Sequence, residues 1–264
     1  MLDNPKIGSE EYFQRLYEVE EKHWWSMGMR EIAAGILDAN YPGVQGLKIL
    51  DAGCGTGITL SWLERYSGPN RVVGIDLSWY ALQFCGKRRE YLLSNSSVLE
   101  LPFKNDLFDL ISCNDVVQHL PGDGADKISF KEFYRVLKPS GCLFLRTNSS
   151  QGMGKRKASG NGNYRRYMRD ELKEKIQQAG FNILKATYAN SLLSILPTAQ
   201  RFLKRKQVSP DLYQGLAIRL LPANRQWLNT LLYWILKSEA WFLSKPGISS
   251  PFGQTLFFLA QKPD

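Results

Sequence analysis

Residues 51–57 read Asp-Ala-Gly-Cys-Gly-Thr-Gly, and a second aspartate, Asp76, follows in VVGIDLS. Glycines at alternate positions carry no Cβ, so main-chain amides can come close to a ligand. A carboxylate ending the next strand, about 20 residues on, can accept hydrogen bonds from both hydroxyls of a ribose. Two phosphate-binding patterns fail here. Counted from Gly53, the third glycine of G-x-G-x-x-G falls on Ile58, and Gly57 is followed by Ile58 and Thr59 rather than by G-K-[ST]. The expected ligand is a nucleoside lacking a pyrophosphate. There are only two histidines, His23 and His119. His119 has a side chain suited to moving a proton near neutral pH, or it packs against the following helix. His23, with Trp24 and Trp25, reads as part of an aromatic cluster.

These residues need a scaffold. Strand patterns occur at 48–53, 72–78, 107–115, 141–149, 181–189 and 254–262. Helical patterns occur at 59–66, 79–92, 127–137 and 169–180, with the whole of 9–40 also helical in spacing. Alternation of this kind predicts an α/β fold with a mostly parallel, doubly wound sheet. The glycine turn then sits at the carboxyl end of the first strand, where such sheets bind ligands. Residues 193–250 interrupt the series as an inserted group of helices, and 150–163 read as a Gly, Ser and Lys rich loop.

Four segments together carry a resemblance: ILDAGCGTG (49–57), VVGIDLS (72–78), LPFKNDLFDLISCNDVVQHL (101–120) and FYRVLKPSGCLFL (133–145). They resemble the class I S-adenosylmethionine-dependent methyltransferases over about residues 45–190. HWW (23–25), RRY (165–167) and PFGQTLFF (251–258) extend the likeness to a bacterial methyltransferase type 11-like subgroup. The resemblance implies a Rossmann-like, seven-stranded sheet with a helical cap or lid at 1–44, a cofactor-binding core at 45–192 plus 251–264, and an insertion at 193–250 that caps the acceptor pocket. It implies S-adenosylmethionine as cofactor, S-adenosylhomocysteine as product, and no metal.

Carried over residue by residue, Gly53, Cys54 and Gly55 would lie against the methionine part of the cofactor, and Asp51 would orient the turn through hydrogen bonds. Asp76 would hold the ribose, with Leu77, Val98 and Leu99 around the adenine. Asn114 would face the methionine or the acceptor. Ser97 stands where the family often has an acidic residue for the adenine amino group. In that subgroup the segment holding His23, Trp24 and Trp25 would fold over the site and meet the acceptor. From their own chemistry, His119 is the candidate base, Tyr12 would bond the cofactor carboxylate and Tyr167 would orient the acceptor, or else the tyrosines pack in the core, and Arg166 would meet an anionic group on the acceptor or stay solvated.

At 264 residues, 44% hydrophobic and 22% charged, the chain has ordinary globular composition. Four cysteines without paired spacing argue against a disulfide framework or a zinc site. The N-terminus has no apolar signal region, and the longest apolar run near the C-terminus, LLYWIL, is too short to span a bilayer. The expectation is a soluble, cytoplasmic protein. The net charge of +9 is concentrated: residues 151–206 hold thirteen Lys and Arg against three Asp and Glu. Such a field can attract RNA, an anionic surface or an acidic substrate, but no RNA-binding module or interleaved aromatics accompany it.

In 222–245, Trp227, Trp234 and Trp241 recur every seven residues and share one helical face. The default cover for that face is the protein's own sheet or another helix; a lipid surface, a dimer partner or an apolar substrate are the other covers, and Arg201, Lys204, Arg205 and Lys206 lie nearby in sequence. The combined expectation is methyl transfer to a small hydrophobic acceptor: a natural product, an isoprenoid or quinone-like ring, or a lipid-linked intermediate. The rivals are an RNA methyltransferase and a non-catalytic cofactor-binding protein. Oligomeric state is open.

Overall fold

The strand at the root of the glycine turn, β1 (Ile49–Ala52), is buried along its whole length. Ile49, Leu50 and Ala52 suit a strand covered on both faces, and Asp51 is buried with them. The computed structural model describes residues 6–41, 43–68, 71–150, 165–194 and 220–264. The other strands are β2 (Val72–Asp76), β3 (Leu92–Asn95), β4 (Phe108–Asn114), β5 (Leu137–Asn148), β6 (Asn182–Ala189) and β7 (Thr255–Gln261). They form one seven-stranded sheet in the order β3-β2-β1-β4-β5-β7-β6. The first five pair in parallel, and β7 runs antiparallel between β5 and β6. This is the Rossmann-like, seven-stranded, mostly parallel sheet that the resemblance implies.

The helices are α1 (Glu10–Val19), α2 (Trp24–Asn40), α3 (Ile58–Ser67), α4 (Trp79–Arg88), α5 (Ala125–Val136), α6 (Arg169–Gln178) and α7 (Gln226–Leu243). Side chains alternate between the sheet's faces, as the two-residue strand period requires. Ile49, Leu110, Phe144, Phe257 and Leu259 pack against α2, α3, α4 and α7. Leu50, Ile111, Cys113, Leu143, Leu145 and Phe258 pack against α5 and α6.

Three features differ from the sequence reading. The helical pattern over 9–40 is broken at residues 20–23 into α1 and α2, each with its own cap: Ser9 Oγ accepts from Tyr12 N (3.2 Å) and His23 Nδ1 from Trp25 N (3.2 Å). The pattern over 79–92 ends at Arg88, and the four-residue edge strand β3 begins at Leu92. β3 is half exposed and has no apolar period of its own, so it reads as helix tail. Finally, α2 is a core helix. Met29, Ile32, Ile36 and Leu37 are buried beneath α7, and Gly28 lets the two helices touch: a Cβ there would come within 2.4 Å of Leu236.

The cap over the cleft is therefore α1, the corner at residues 20–23 and the first turns of α2, while the later turns of α2 are core. Within the inserted 193–250 segment, residues 195–219 lie outside the described residues. The described remainder is dominated by α7, which covers a face of the sheet. The Gly, Ser and Lys rich loop lies almost wholly outside the described residues.

Candidate active site

The strand order reverses between β1 and β4, which opens a crevice at their carboxyl ends. The glycine turn lies there and is held by β2: Gly53 N and Cys54 N both donate to Ile75 O (2.8 Å). Gly55 N donates to Asp76 Oδ2 (3.0 Å) and Ser78 N to Asp76 Oδ1 (2.8 Å). Asn95 Nδ2 donates to the carbonyls of Asp76 (2.9 Å) and Leu77 (3.0 Å), which fixes the backbone around the carboxylate. Desolvation raises the Asp76 pKa, while the N–H bonds from Ser78 and Gly55 oppose the rise. An ionised carboxylate has about four acceptor positions. Two are used by the backbone, so two remain for a pair of hydroxyls.

The two key glycines are bare for different reasons. At Gly53 (φ +86°) a Cβ would strike Val116 Cγ2 at 2.1 Å, so its small size serves packing within the protein. At Gly55 (φ +53°) a Cβ would meet only Leu16 Cδ2, at 4.0 Å, across the cleft. Gly55 therefore presents open backbone to a ligand. Cys54 turns its side chain into the core and reaches the cleft through its backbone.

The expected hydrogen bonds from Asp51 to the turn are not made, because the turn's amides already belong to Ile75 and Asp76. Asp51 is buried, does not line the cleft, and neither oxygen accepts a hydrogen bond among the described residues. Burial pushes its pKa up to about 7, with Ser112 nearby opposing and Asp76 adding to the rise. Asn114 lies beside the same crevice. Its amide donates to Ser112 Oγ (2.7 Å), and its Oδ1 has no hydrogen-bond partner among the described residues. Two such acceptors below the turn fit a cationic ligand, Asp51 acting through its field rather than by contact.

The sign of the pH effect follows. Unfolded, the Asp51 carboxyl ionises near 3.8; folded, near 7. Between those values the native state binds the extra proton, so stability falls as pH rises, and above about 7 the full cost is present. We expect Asp51→Asn to raise the stability of the ligand-free protein at pH 8 by up to about 4 kcal/mol, or about 8–16 °C in Tm. The gain should vanish near pH 4, while cofactor affinity falls. Thermal denaturation at the two pH values checks the first part and calorimetry the second.

Leu77 (75% exposed), Val98 and Leu99 line the far side of the carboxylate. Ser97 Oγ accepts from Leu99 N (3.1 Å), so the hydroxyl that replaces the family's acid already has one bond. Tyr12, His23, Trp24 and Trp25 line the opposite wall. His23 is buried in the cap position of α2, and desolvation lowers its pKa to about 4. It is thus neutral, with Nδ1 occupied by Trp25 N. The corner is latched to the glycine turn by a buried ionic group. Glu20 bonds Thr56 Oγ1 and Arg88 (2.7 Å), and Arg88 Nε donates to Thr56 O (2.7 Å).

His119 ends a 3₁₀ turn after β4 and lines the cleft, solvent-accessible along a concave wall. Desolvation lowers its pKa and the carboxylate of Asp115 partly opposes this. Tyr167 is a correction. It is 1% exposed and absent from the cleft wall, with its hydroxyl donating towards Val117 O and Asp126 Oδ2 (3.2 Å each). It is a core residue that ties the fourth strand's exit to α5. Arg166 does line the cleft.

Sequence reading missed several wall residues. Arg146, at the carboxyl end of β5, pairs with Asp115 (Nε to Oδ2, 3.0 Å) and stacks 5.2 Å from the Trp25 ring. Arg30 donates to Glu20 O (2.9 Å). Trp79 and Tyr80, exposed at the mouth, directly follow Asp76-Leu77-Ser78. Position supplied a usable signal for Arg146, Trp79 and Tyr80, since each stands at or just after a parallel strand's carboxyl end. In all, the cleft measures about 1160 Å³, ample for a nucleoside and a second molecule.

Residues 50–145 match the family described as "Methyltransferase domain". A demethylmenaquinone methyltransferase of Lactiplantibacillus plantarum is 30% identical over 130 residues, 46% of this chain and 50% of the relative. A protein named as a methyltransferase in Encephalitozoon cuniculi is 30% identical over 165 residues, 60% of this chain and 72% of the relative. The fold matches a chain in the complex between the Haloferax volcanii Trm112 methyltransferase activator and its methyltransferase, with TM-score 0.61 and 15% identity, covering 98% of this chain and 99% of that one. The chain spans between about a third and two thirds of the length of the first curated relatives it matches. With a domain match across β1 to β5, a relative mostly covered, and a cleft at the switch point lined by the glycine turn and Asp76, the chain belongs to the class I S-adenosylmethionine-dependent methyltransferases.

Proposed function

We propose that this chain transfers a methyl group to a small acceptor with an apolar body and an anionic or acidic end. When bound, S-adenosylmethionine supplies an electrophilic methyl on a positively charged sulfur and leaves as S-adenosylhomocysteine. Asp76 would take the ribose hydroxyls on its two remaining acceptor positions. Leu77, Val98 and Leu99 would enclose the adenine, and Gly55 and Cys54 would offer backbone to the methionine part. Asn114 and the field of Asp51 favour a positive charge nearby. Tyr12, Trp24 and Trp25 cover the reacting region and exclude water, and orienting two reactants there can lower the barrier by about 7–11 kcal/mol. His119, neutral at pH 7, can accept a proton from the acceptor.

One observation carries this reading: a single cleft joins the carboxylate and bare glycine backbone to an aromatic wall edged by Arg30, Arg146 and Arg166. The likeness to a demethylmenaquinone methyltransferase supports a ring-bearing acceptor.

The RNA reading loses support from the described part of the basic run. Lys175 pairs with Asp126 (2.7 Å) and Glu171 (3.1 Å). Lys185 Nζ is held by the carbonyls of Leu243 (2.8 Å) and Ile248 (2.6 Å). Those charges face the protein rather than a phosphate backbone.

Incubation with methyl-labelled cofactor and a panel of prenylated phenols, aromatic acids, acyl thioesters and bulk tRNA tests the reading by mass spectrometry. Label is expected in an apolar, acidic small molecule. Label confined to tRNA, or cofactor binding without turnover on any acceptor, overturns it.

A further inference from the structure

Helix α7 is apolar on two sides. Leu236, Ala240 and Leu243 face inward and are buried in the core. On the outside, Trp227, Leu231, Trp234, Trp241 and Phe242 are 66%, 48%, 56%, 66% and 51% exposed. Their spacing places them in one stripe along the helix, and the expectation that the protein's own core covers the tryptophans is corrected by these exposures. An apolar stripe of this length left in water marks an interaction surface.

The charges around the stripe choose its partner. The only acid in α7, Glu239, is turned inward, 8% exposed, and accepts from Ser191 N (3.0 Å). The basic groups sit at the stripe and its ends. Lys237 Nζ lies 4.9 Å from the Trp234 ring and Lys245 Nζ 4.7 Å from the Trp241 ring, and Arg225 precedes the helix. Glu31, on the neighbouring α2, is engaged by the hydroxyl of Tyr233 (2.9 Å) at the edge.

We propose that this outer face of α7 docks on an anionic lipid bilayer. Tryptophan favours the membrane–water interface. A lysine stem lying along an indole can extend its ammonium to a lipid phosphate while the ring enters the acyl boundary. A second copy of the chain fits less well, because a two-fold contact sets the same patch against itself and would bring Lys237 and Lys245 towards like charges. No helix among the described residues is long and apolar enough to cross a membrane, so the contact is peripheral.

The docked face also has a fixed relation to the cleft. Asn229, in the first turns of α7, accepts from Trp24 N (3.0 Å) and donates to Lys22 O (3.1 Å). The helix thereby grips the corner that forms one cleft wall, and docking places that wall near the lipid surface. The docking itself does not rest on methyl transfer; only the delivery of an apolar acceptor from the bilayer does.

Co-sedimentation with vesicles of phosphatidylcholine alone, and of phosphatidylcholine mixed with phosphatidylglycerol, tests it. Binding to the anionic vesicles is expected, weakening as salt rises. The variant Trp227→Ser, Trp234→Ser, Trp241→Ser should lose at least tenfold in partition, and Lys237→Glu, Lys245→Glu should lose the preference for anionic lipid. Both should keep the wild-type cofactor affinity, which also shows that they fold. Failure of the wild type to bind anionic vesicles, or equal binding by the tryptophan variant, overturns the proposal. So does a wild-type dimer in sedimentation velocity that the tryptophan variant abolishes.

Discussion

Asp76→Ala is expected to lower affinity for S-adenosylmethionine by on the order of 10²–10⁴-fold, measured by isothermal titration calorimetry. Two hydroxyls bonded to an ionised carboxylate are worth roughly 1.5–3 kcal/mol each, and each 1.4 kcal/mol is tenfold. A second effect acts in the same direction. The carboxylate holds Gly55 N and Ser78 N, so its loss also loosens the backbone that the ligand rests on. Asp76→Asn removes about half of each effect: its amide oxygen still accepts, while its NH₂ can accept neither from the second hydroxyl nor from the backbone N–H that the lost oxygen held. We expect it to fall between wild type and the alanine variant. Unchanged affinity in the alanine variant, with a native circular dichroism spectrum, would remove the ribose assignment.

The part of the site built on strand ends was legible in the sequence. Asp76 and Gly55 follow short apolar runs, and the position of a residue just past a parallel strand is fixed by the sheet whatever surrounds it. Where the outcome depended on how distant segments meet, local pattern was not enough. Gly53 reads as a ligand contact and does line the cleft, but the obstacle to a Cβ is Val116, 63 residues further along, which the local pattern does not show. Asp51 reads as the brace of the turn, yet Ile75 O and Asp76 took the amides first. Tyr167 reads as a cleft residue from its motif, and its ring is drawn into the core by Asp126 on α5.

The tryptophans of α7 show the same limit from the opposite side. A seven-residue spacing says that Trp227, Trp234 and Trp241 share a face, and this was read correctly. It does not say which face the sheet will cover. In the structure Leu236, Ala240 and Leu243 supply the inward surface, since their smaller side chains allow α2 to approach at Gly28. The same close approach makes the later turns of α2 a structural layer, while its first turns, with Trp24, Trp25 and Arg30, still wall the cleft.

His119→Ala is expected to reduce kcat/KM by about 10²–10⁴-fold, the usual contribution of a general base, with cofactor affinity unchanged within a few-fold. The pH profile distinguishes this from a packing role. A base works only when deprotonated, and desolvation puts the His119 pKa below its ordinary 6.5. The wild-type log(kcat/KM) should therefore rise with pH along an acid limb that ends below 6.5 and then level off. The alanine variant should lose that limb. Asp115, which raises the His119 pKa, is itself held by Arg146. An Asp115→Asn variant should accordingly move the limb to lower pH without abolishing turnover, an effect that mere packing of the imidazole would not give. Turnover within a few-fold of wild type in His119→Ala, with the acid limb intact, would rule out the base. Catalysis would then rest on the positioning supplied by the glycine turn and the aromatic wall, as it can when the acceptor atom carries no proton to remove.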